Sequence, residues 1–170
     1  MAELEWLPGW SGETTDGLIA FEGRFRTDSI VLAFEQALDT KATTDAKSLT
    51  EPEWIVLAVE ALEREVNNGG FQQFFINCEY CSTWIADALD RIERKDIAAI
   101  AREAIAALLA SPPDDSGAMS ASATAASADT VAALGACDQK YFAHAGDLAP
   151  DVLGFIKRER AQIVLPRKAK

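Results

Sequence analysis

Read for the spacing of its apolar positions, the chain changes character near residue 28. Residues 1–27 carry Trp6, Pro8, Trp10 and four glycines without a sustained period. They predict an irregular arm with a short strand at 18–25, packed onto the rest of the chain by its aromatic residues. From Asp28 the apolar residues fall three and four apart. Asp28 or Ser29 is placed to cap a helix in which Ile30, Val31, Phe34 and Leu38 share one face. Residues 40–48 are polar and read as a loop.

The next helix has the clearest start in the chain. Thr50 and Glu53 form a capping box, each side chain accepting the other's backbone N–H. Pro52 sits in the first turn, where its missing N–H costs nothing, and Leu49 and Trp54 have the spacing of a hydrophobic staple. Leu57, Ala58, Ala61 and Leu62 continue the apolar face as far as Asn67-Asn68-Gly69-Gly70. That turn stops the helix, and one of its glycines is expected at positive φ. Phe71, Phe74 and Phe75 then predict one or two buried helical turns.

Further helices are expected from Ser82 or Thr83 through Ile85, Ala88, Leu89 and Ile92, and from Asp96 through Ile97, Ala101, Ala104, Ile105 and Leu108. Pro112-Pro113 ends the second of these. Another starts near Asp129 and uses Val131, Leu134, Tyr141 and Phe142, and a last one runs from about Pro150 to Ile163. Residues 111–128, rich in Pro, Asp, Ser, Gly and Ala, read as a mobile loop. The pattern as a whole predicts an all-α fold, a single compact domain of about six or seven helices. That domain covers 28–165, after the arm at 1–27 and before a basic tail at 166–170.

Charge narrows the function. The 27 acidic and 16 basic residues give a net −11. Six of the bases lie in residues 157–170 beside one acid, so residues 1–156 hold 26 acids against 10 bases, a balance of −16. Such a body repels nucleic acid and anionic membrane and attracts basic surfaces. No stretch approaches the ~18 uninterrupted apolar residues of a membrane span, and the N-terminus has no signal-peptide pattern. Three cysteines do not complete a disulfide framework. The expected compartment is the cytoplasm.

Catalytic patterns are sparse. Cys78-Glu79-Tyr80-Cys81 is a C-x-x-C, but it follows a phenylalanine-rich helical segment, whereas a redox motif is expected after a strand and at a helix N-terminus. Zinc would need four ligands, and Cys78, Cys81, Cys137 and His144 are the candidates. Cysteine as a small apolar filler is the simpler reading, and neither a metal nor a cofactor is expected. His144 has no paired nucleophile motif, Gly69-Gly70 lacks the lysine of a phosphate loop, and Asp114-Asp115 sits in the expected loop. Glu65 lies about 20° from Trp54 on the helical wheel, which places a carboxylate on the apolar face. It needs donors there, and the N–H groups of residues 70–72 are the expected ones.

The segment Glu65-Val66-Asn67-Asn68-Gly69-Gly70-Phe71, followed by Gln73-Phe74-Phe75 and Asn77, resembles the DNA mimic protein family, small acidic bacterial proteins. The Thr50 to Leu62 helix, Ala88-Leu89, Asp138, Tyr141 and Phe142 extend the resemblance over roughly residues 28–160. It implies a mainly helical fold, a homodimer, and binding to a transcription factor or similar basic DNA-binding protein through an acidic surface. Because the shared residues are mostly apolar or turn residues, they define the fold more directly than the partner.

Carboxylates three or four apart on a helix lie about 5–6 Å from one another, comparable with phosphate spacing. Glu53, Glu60 and Glu63 on one helix, and Asp87, Asp90 and Glu93 on another, are the candidate partner-binding residues, with Glu103 opposite the core of the next. Arg64, Arg91, Arg94 and Lys95 interrupt the row. The expectation is a non-catalytic module that binds a basic DNA-binding protein without touching nucleic acid or membrane itself. The alternatives are an adaptor without DNA mimicry and a metal-dependent enzyme built on Glu65 and the C-x-x-C region.

Overall fold

The computed structural model describes residues 4–110 and 118–167. Among these the fold is all-α, with nine α-helices and one 3-10 turn: α1 Thr15–Ile19, α2 Thr27–Asp45, α3 Glu51–Asn77, α4 Glu79–Ser82, α5 Ile85–Arg91, α6 Lys95–Leu109, α7 Met119–Thr124, α8 Ala128–His144 and α9 Ala149–Glu159. The surplus over the expected number is in short helices that a sequence period cannot register. By contact the chain divides into two compact units, Met1–Glu60 with Asp147–Lys170, and Ala61–Gly146.

In the first unit α2 packs against α1 and α9. Leu18, Ile30, Val31, Phe34, Leu38, Phe155 and Ile156 are its buried core. The expected strand at 18–25 is absent. Thr14 caps α1 with its side chain, and the backbone pairs near Phe25 only in isolated bridges. The arm is tied down by polar bonds more than by aromatics. Leu7 N–H donates to Ser29 Oγ at 3.0 Å, and Thr15 Oγ1 donates to the Ile163 carbonyl at 2.6 Å. Trp6 stays 51% exposed, its ring against the Arg26 guanidinium.

Two boundaries differ from expectation. The residue before α2 is Arg26, which makes no capping bond. Asp28 lies inside the first turn, and Ser29 Oγ instead donates to the Arg26 carbonyl. Helix α2 also continues through residues 40–45, read as loop. There the Thr40 and Thr44 hydroxyls donate to the carbonyls of Gln36 and Thr40, so polar side chains are satisfied without leaving the helix.

The capping box is present. Thr50 N–H donates to Glu53 Oε2 at 2.8 Å, and Glu53 N–H reaches Thr50 Oγ1 at 3.4 Å. Glu53 is nonetheless completely buried, a correction to its place on an exposed acidic face. Its carboxylate accepts from Lys41 Nζ at 2.7 and 2.8 Å and from Val164 N–H at 2.8 Å.

In the second unit α6 is the central element, packed against α5, α7 and α8. Phe71, Phe74, Phe75, Leu89, Leu108 and Tyr141 are buried, and the edge of one ring meets the face of the other where Phe71 packs on Tyr141, centroids 5.9 Å apart. The Arg94 guanidinium donates to the carbonyls of His144 and Ala145, both at 2.9 Å, and fixes the end of α8. The buried stripe of α8 is Thr130, Leu134, Cys137 and Tyr141. Val131 and Phe142, expected in the core, each lie one residue round the helix from that stripe and are 41% and 51% exposed. Within the stretch read as a mobile loop, Met119–Thr124 is helical with Met119 and Ala123 buried. Gln72 Nε2 donates to the Ala123 carbonyl, and Glu79 accepts from the N–H groups of Met119 and Ser120. Residues 111–117, including Asp114-Asp115, and residues 168–170 of the expected tail lie outside the described residues.

Candidate functional site

The Glu65–Asn77 segment kinks α3. Gly69 has φ −160° and Gly70 has φ +75° with ψ −176°, so the positive φ expected in this turn falls on Gly70. That combination is close to exclusive to glycine. Space is equally restrictive, because a Cβ at Gly70 would stand 2.3 Å from Asp138 Oδ2. Asp138 comes this close because its Oδ1 accepts the Phe71 N–H at 2.8 Å. That N–H is one of the donors left open where helix restarts after the kink. Burial holds the Asp138 carboxyl above its ordinary range, and the Phe71 bond opposes the shift only in part.

Glu65 is held differently from expectation. Its carboxylate accepts from Asn77 Nδ2 at 2.7 Å and Gln73 Nε2 at 2.9 Å, with Arg64 Nε at 3.5 Å. The expected backbone donors at 70–72 do not serve it, since the Phe71 N–H belongs to Asp138. The Asn77 and Gln73 amides hold Glu65 below the usual carboxylate range. Nearby, Asn67 Nδ2 donates to the Glu63 carbonyl and Asn68 is exposed. The motif thus stitches α3 across its kink.

The candidate acidic residues do not all reach the surface. Glu53 is buried, as above, and Glu60 in the same unit is half-buried. In the second unit Glu63 is half-buried and accepts from the Tyr141 hydroxyl at 3.3 Å. Asp87 and Glu93 are exposed and Asp90 is half-buried, with Glu93 in the turn after α5 at φ +70°. Asp87 and Asp90 share one guanidinium: Arg102 Nη2 lies 3.2 Å from Asp87 and 2.5 Å from Asp90. Arg102 was absent from the cations expected to interrupt the row. It stands on α6, and only the packing of α5 on α6 brings it here. Glu103 is likewise paired, with Lys140 of α8.

One groove of the first unit, of about 650 Å³, is bordered by Trp10, Thr40, Lys41, Asp45 and Arg167, but its Lys41 is committed to Glu53. Among the described residues, no three His, Cys, Asp or Glu side chains gather into a group able to hold a metal ion. No helix there is long and apolar enough to cross a membrane.

The profile of the DMP19-like protein family matches residues 47–159. The chain belongs to that family. The match opens at the turn before the α3 capping box and closes at the end of α9, so α1 and all of α2 fall outside it. No curated protein and no solved structure matches the chain.

Proposed function

We propose that the protein is a non-catalytic, acidic protein-binding module that acts as a DNA mimic, occupying the nucleic-acid site of a basic DNA-binding protein such as a transcription factor. The observation that carries this reading is the pair Asp87 and Asp90 of α5, which share the guanidinium of Arg102 on α6. Arginine is also the side chain that commonly holds phosphate oxygens. A partner's arginine can take the position that Arg102 now occupies. Exposed Glu93 and half-buried Glu63 are further carboxylates of the same unit. Family membership supports the same reading, as does the net −11. A cytoplasmic homodimer is part of the proposal.

The internal ion pairs made by Arg102 and Lys140 favour a second reading, an adaptor that binds its partner without imitating DNA. Competition separates the two. A partner retained at low salt is presented with this protein and duplex DNA together. The mimic requires mutually exclusive binding that weakens with salt as counterions screen both ligands. Asp87→Lys with Asp90→Lys should lower the affinity at least tenfold, an estimate on the scale of close interfacial charge pairs. Arg102→Gln removes the internal competitor and should tighten binding. A partner that takes both ligands at once with unchanged affinities leaves the adaptor.

A further inference from the structure

Three segments of the first unit that are distant in sequence meet around the groove of about 650 Å³. One wall is the second half of α2 with the turn after it, Trp10 comes from the arm, and Pro166 and Arg167 come from the segment after α9. The arm approaches α2 closely at one point. Gly9 has φ +135°, and a Cβ there would stand 2.6 Å from Gln36 Oε1. That approach lets the Trp10 backbone N–H donate to Gln36 Oε1 at 3.0 Å. The indole N–H donates to the Glu13 carbonyl at 2.9 Å, so the ring borders the groove with carbon alone. Apart from Ser48, the residues bordering the groove lie outside 47–159. It is built from parts of the chain that the family match does not cover.

The polar groups on this border are mostly acceptors. The hydroxyls of Thr40, Thr44 and Ser48 donate to the carbonyls of Gln36, Thr40 and Asp45, at 2.8, 2.9 and 2.7 Å. A hydroxyl whose proton is so engaged still has lone pairs with which to accept. Asp45 takes the Lys47 N–H on Oδ1 and has further acceptor capacity. Donors are fewer. Gln36, whose oxygen holds Trp10, presents its amide Nε2, and Arg167 presents a guanidinium. Lys41 presents nothing, because its three protons go to the two Glu53 oxygens and the Val164 carbonyl. Charge is balanced as well: Glu53 matches Lys41, and one carboxylate, Asp45, is set against one guanidinium, Arg167.

A ligand suited to such a border carries several hydroxyl donors, no net charge, and an apolar face for the Trp10 ring. A sugar ring has all three. Thr40 and Thr44 stand one helical turn apart, about 5–6 Å at Cβ, which is the breadth of a pyranose. A phosphate would find Arg167 offset by Asp45, and a polyamine would find the reverse. We propose that this groove binds a neutral saccharide, with Trp10 as the stacking platform, Thr40, Thr44 and Asp45 accepting from its hydroxyls, and Gln36 donating to it. The volume lies within the several hundred Å³ of small-molecule sites. The site is independent of Asp87 and Asp90, which belong to the other unit.

The test is a titration of the isotope-labelled full chain with maltose and with cellobiose, followed by nuclear magnetic resonance, with glucuronate and spermidine as charged contrasts. At least one disaccharide should move the Trp10 backbone N–H and the Gln36 side-chain amide signals saturably, and both charged probes should bind more weakly. Thr40→Val with Thr44→Val keeps the shape of the wall and removes two acceptors. It should weaken binding roughly tenfold or more, the scale of two hydrogen bonds. Both positions are exposed, so the substitutions leave the core untouched. Trp10→Ala should weaken binding to a similar extent. The proposal is overturned if neither disaccharide moves those signals, if either charged probe binds more tightly than both disaccharides, or if the double valine variant binds with wild-type affinity.

Discussion

Gly70→Ala tests the kink most directly, because two independent physical terms act on one methyl group. The first is the backbone. With φ +75° and ψ −176°, an L side chain is held in a region used almost only by glycine, at a cost of about 1–3 kcal/mol. The second is the overlap with Asp138, whose Oδ2 lies 2.3 Å from the new Cβ. Asp138 must withdraw, and the Phe71 N–H loses its acceptor. A hydrogen bond to a charged group is worth about 1.5–3 kcal/mol, and the half-buried position of Asp138 puts this one toward the lower end. Together the terms amount to about 3–5 kcal/mol.

Gly69→Ala is the control. Its φ of −160° suits any residue, and the new Cβ meets the Gln73 side chain, whose Oε1 stands 2.1 Å away. Turning Gln73 aside sacrifices one bond to Glu65, roughly 1 kcal/mol, and the Gln73 Cβ, 2.9 Å from the new Cβ, must also give slightly. Urea unfolding at neutral pH should therefore rank Gly70→Ala well below Gly69→Ala, with wild type above both. Adding Asp138→Ala to Gly70→Ala relieves the overlap but not the dihedral strain, so a deficit of about 1–3 kcal/mol relative to Asp138→Ala alone should persist. The reasoning is refuted if Gly70→Ala unfolds at the wild-type urea concentration, or if Asp138→Ala restores it completely.

Two further outcomes follow from the same geometry. Glu65 has its folded pKa depressed by Asn77 and Gln73, so it binds protons less readily folded than unfolded. Its contribution is present above the unfolded carboxylate range and is lost as pH falls through the folded value. Glu65→Gln should accordingly show a shallower fall in melting temperature on acidification than wild type, and an unchanged slope would contradict the assignment. Asp138, raised by burial, has the opposite sign, its ionisation opposing folding as pH rises. Glu53→Ala should cost about 3 kcal/mol, because it leaves Lys41 facing a mostly buried site without its carboxylate. If this variant instead keeps wild-type stability while weakening partner binding, Glu53 belongs to the surface and its burial is wrong.

Local order was legible in the sequence because local order is made by neighbours. The Thr50/Glu53 capping box, the break at Gly69-Gly70 and the shared apolar face of Phe71, Phe74 and Phe75 follow from residues close together in the sequence, and all are present. A helical wheel also placed Glu65 away from open solvent, although not its donors. What the wheel could not decide was anything that depends on a second element. It set Glu53 on an outward face, yet Lys41 of α2 and the backbone of Val164 enclose it. It gave Asp87 and Asp90 to solvent, yet Arg102 of α6 lies between them. It offered the Phe71 N–H to Glu65, yet Asp138, 67 residues away, takes it. Helical periodicity fixes the direction in which a side chain leaves its own helix. Which charge it meets there is set by the packing of elements distant in sequence, and so only the tertiary structure decided which carboxylates are enclosed and which are exposed.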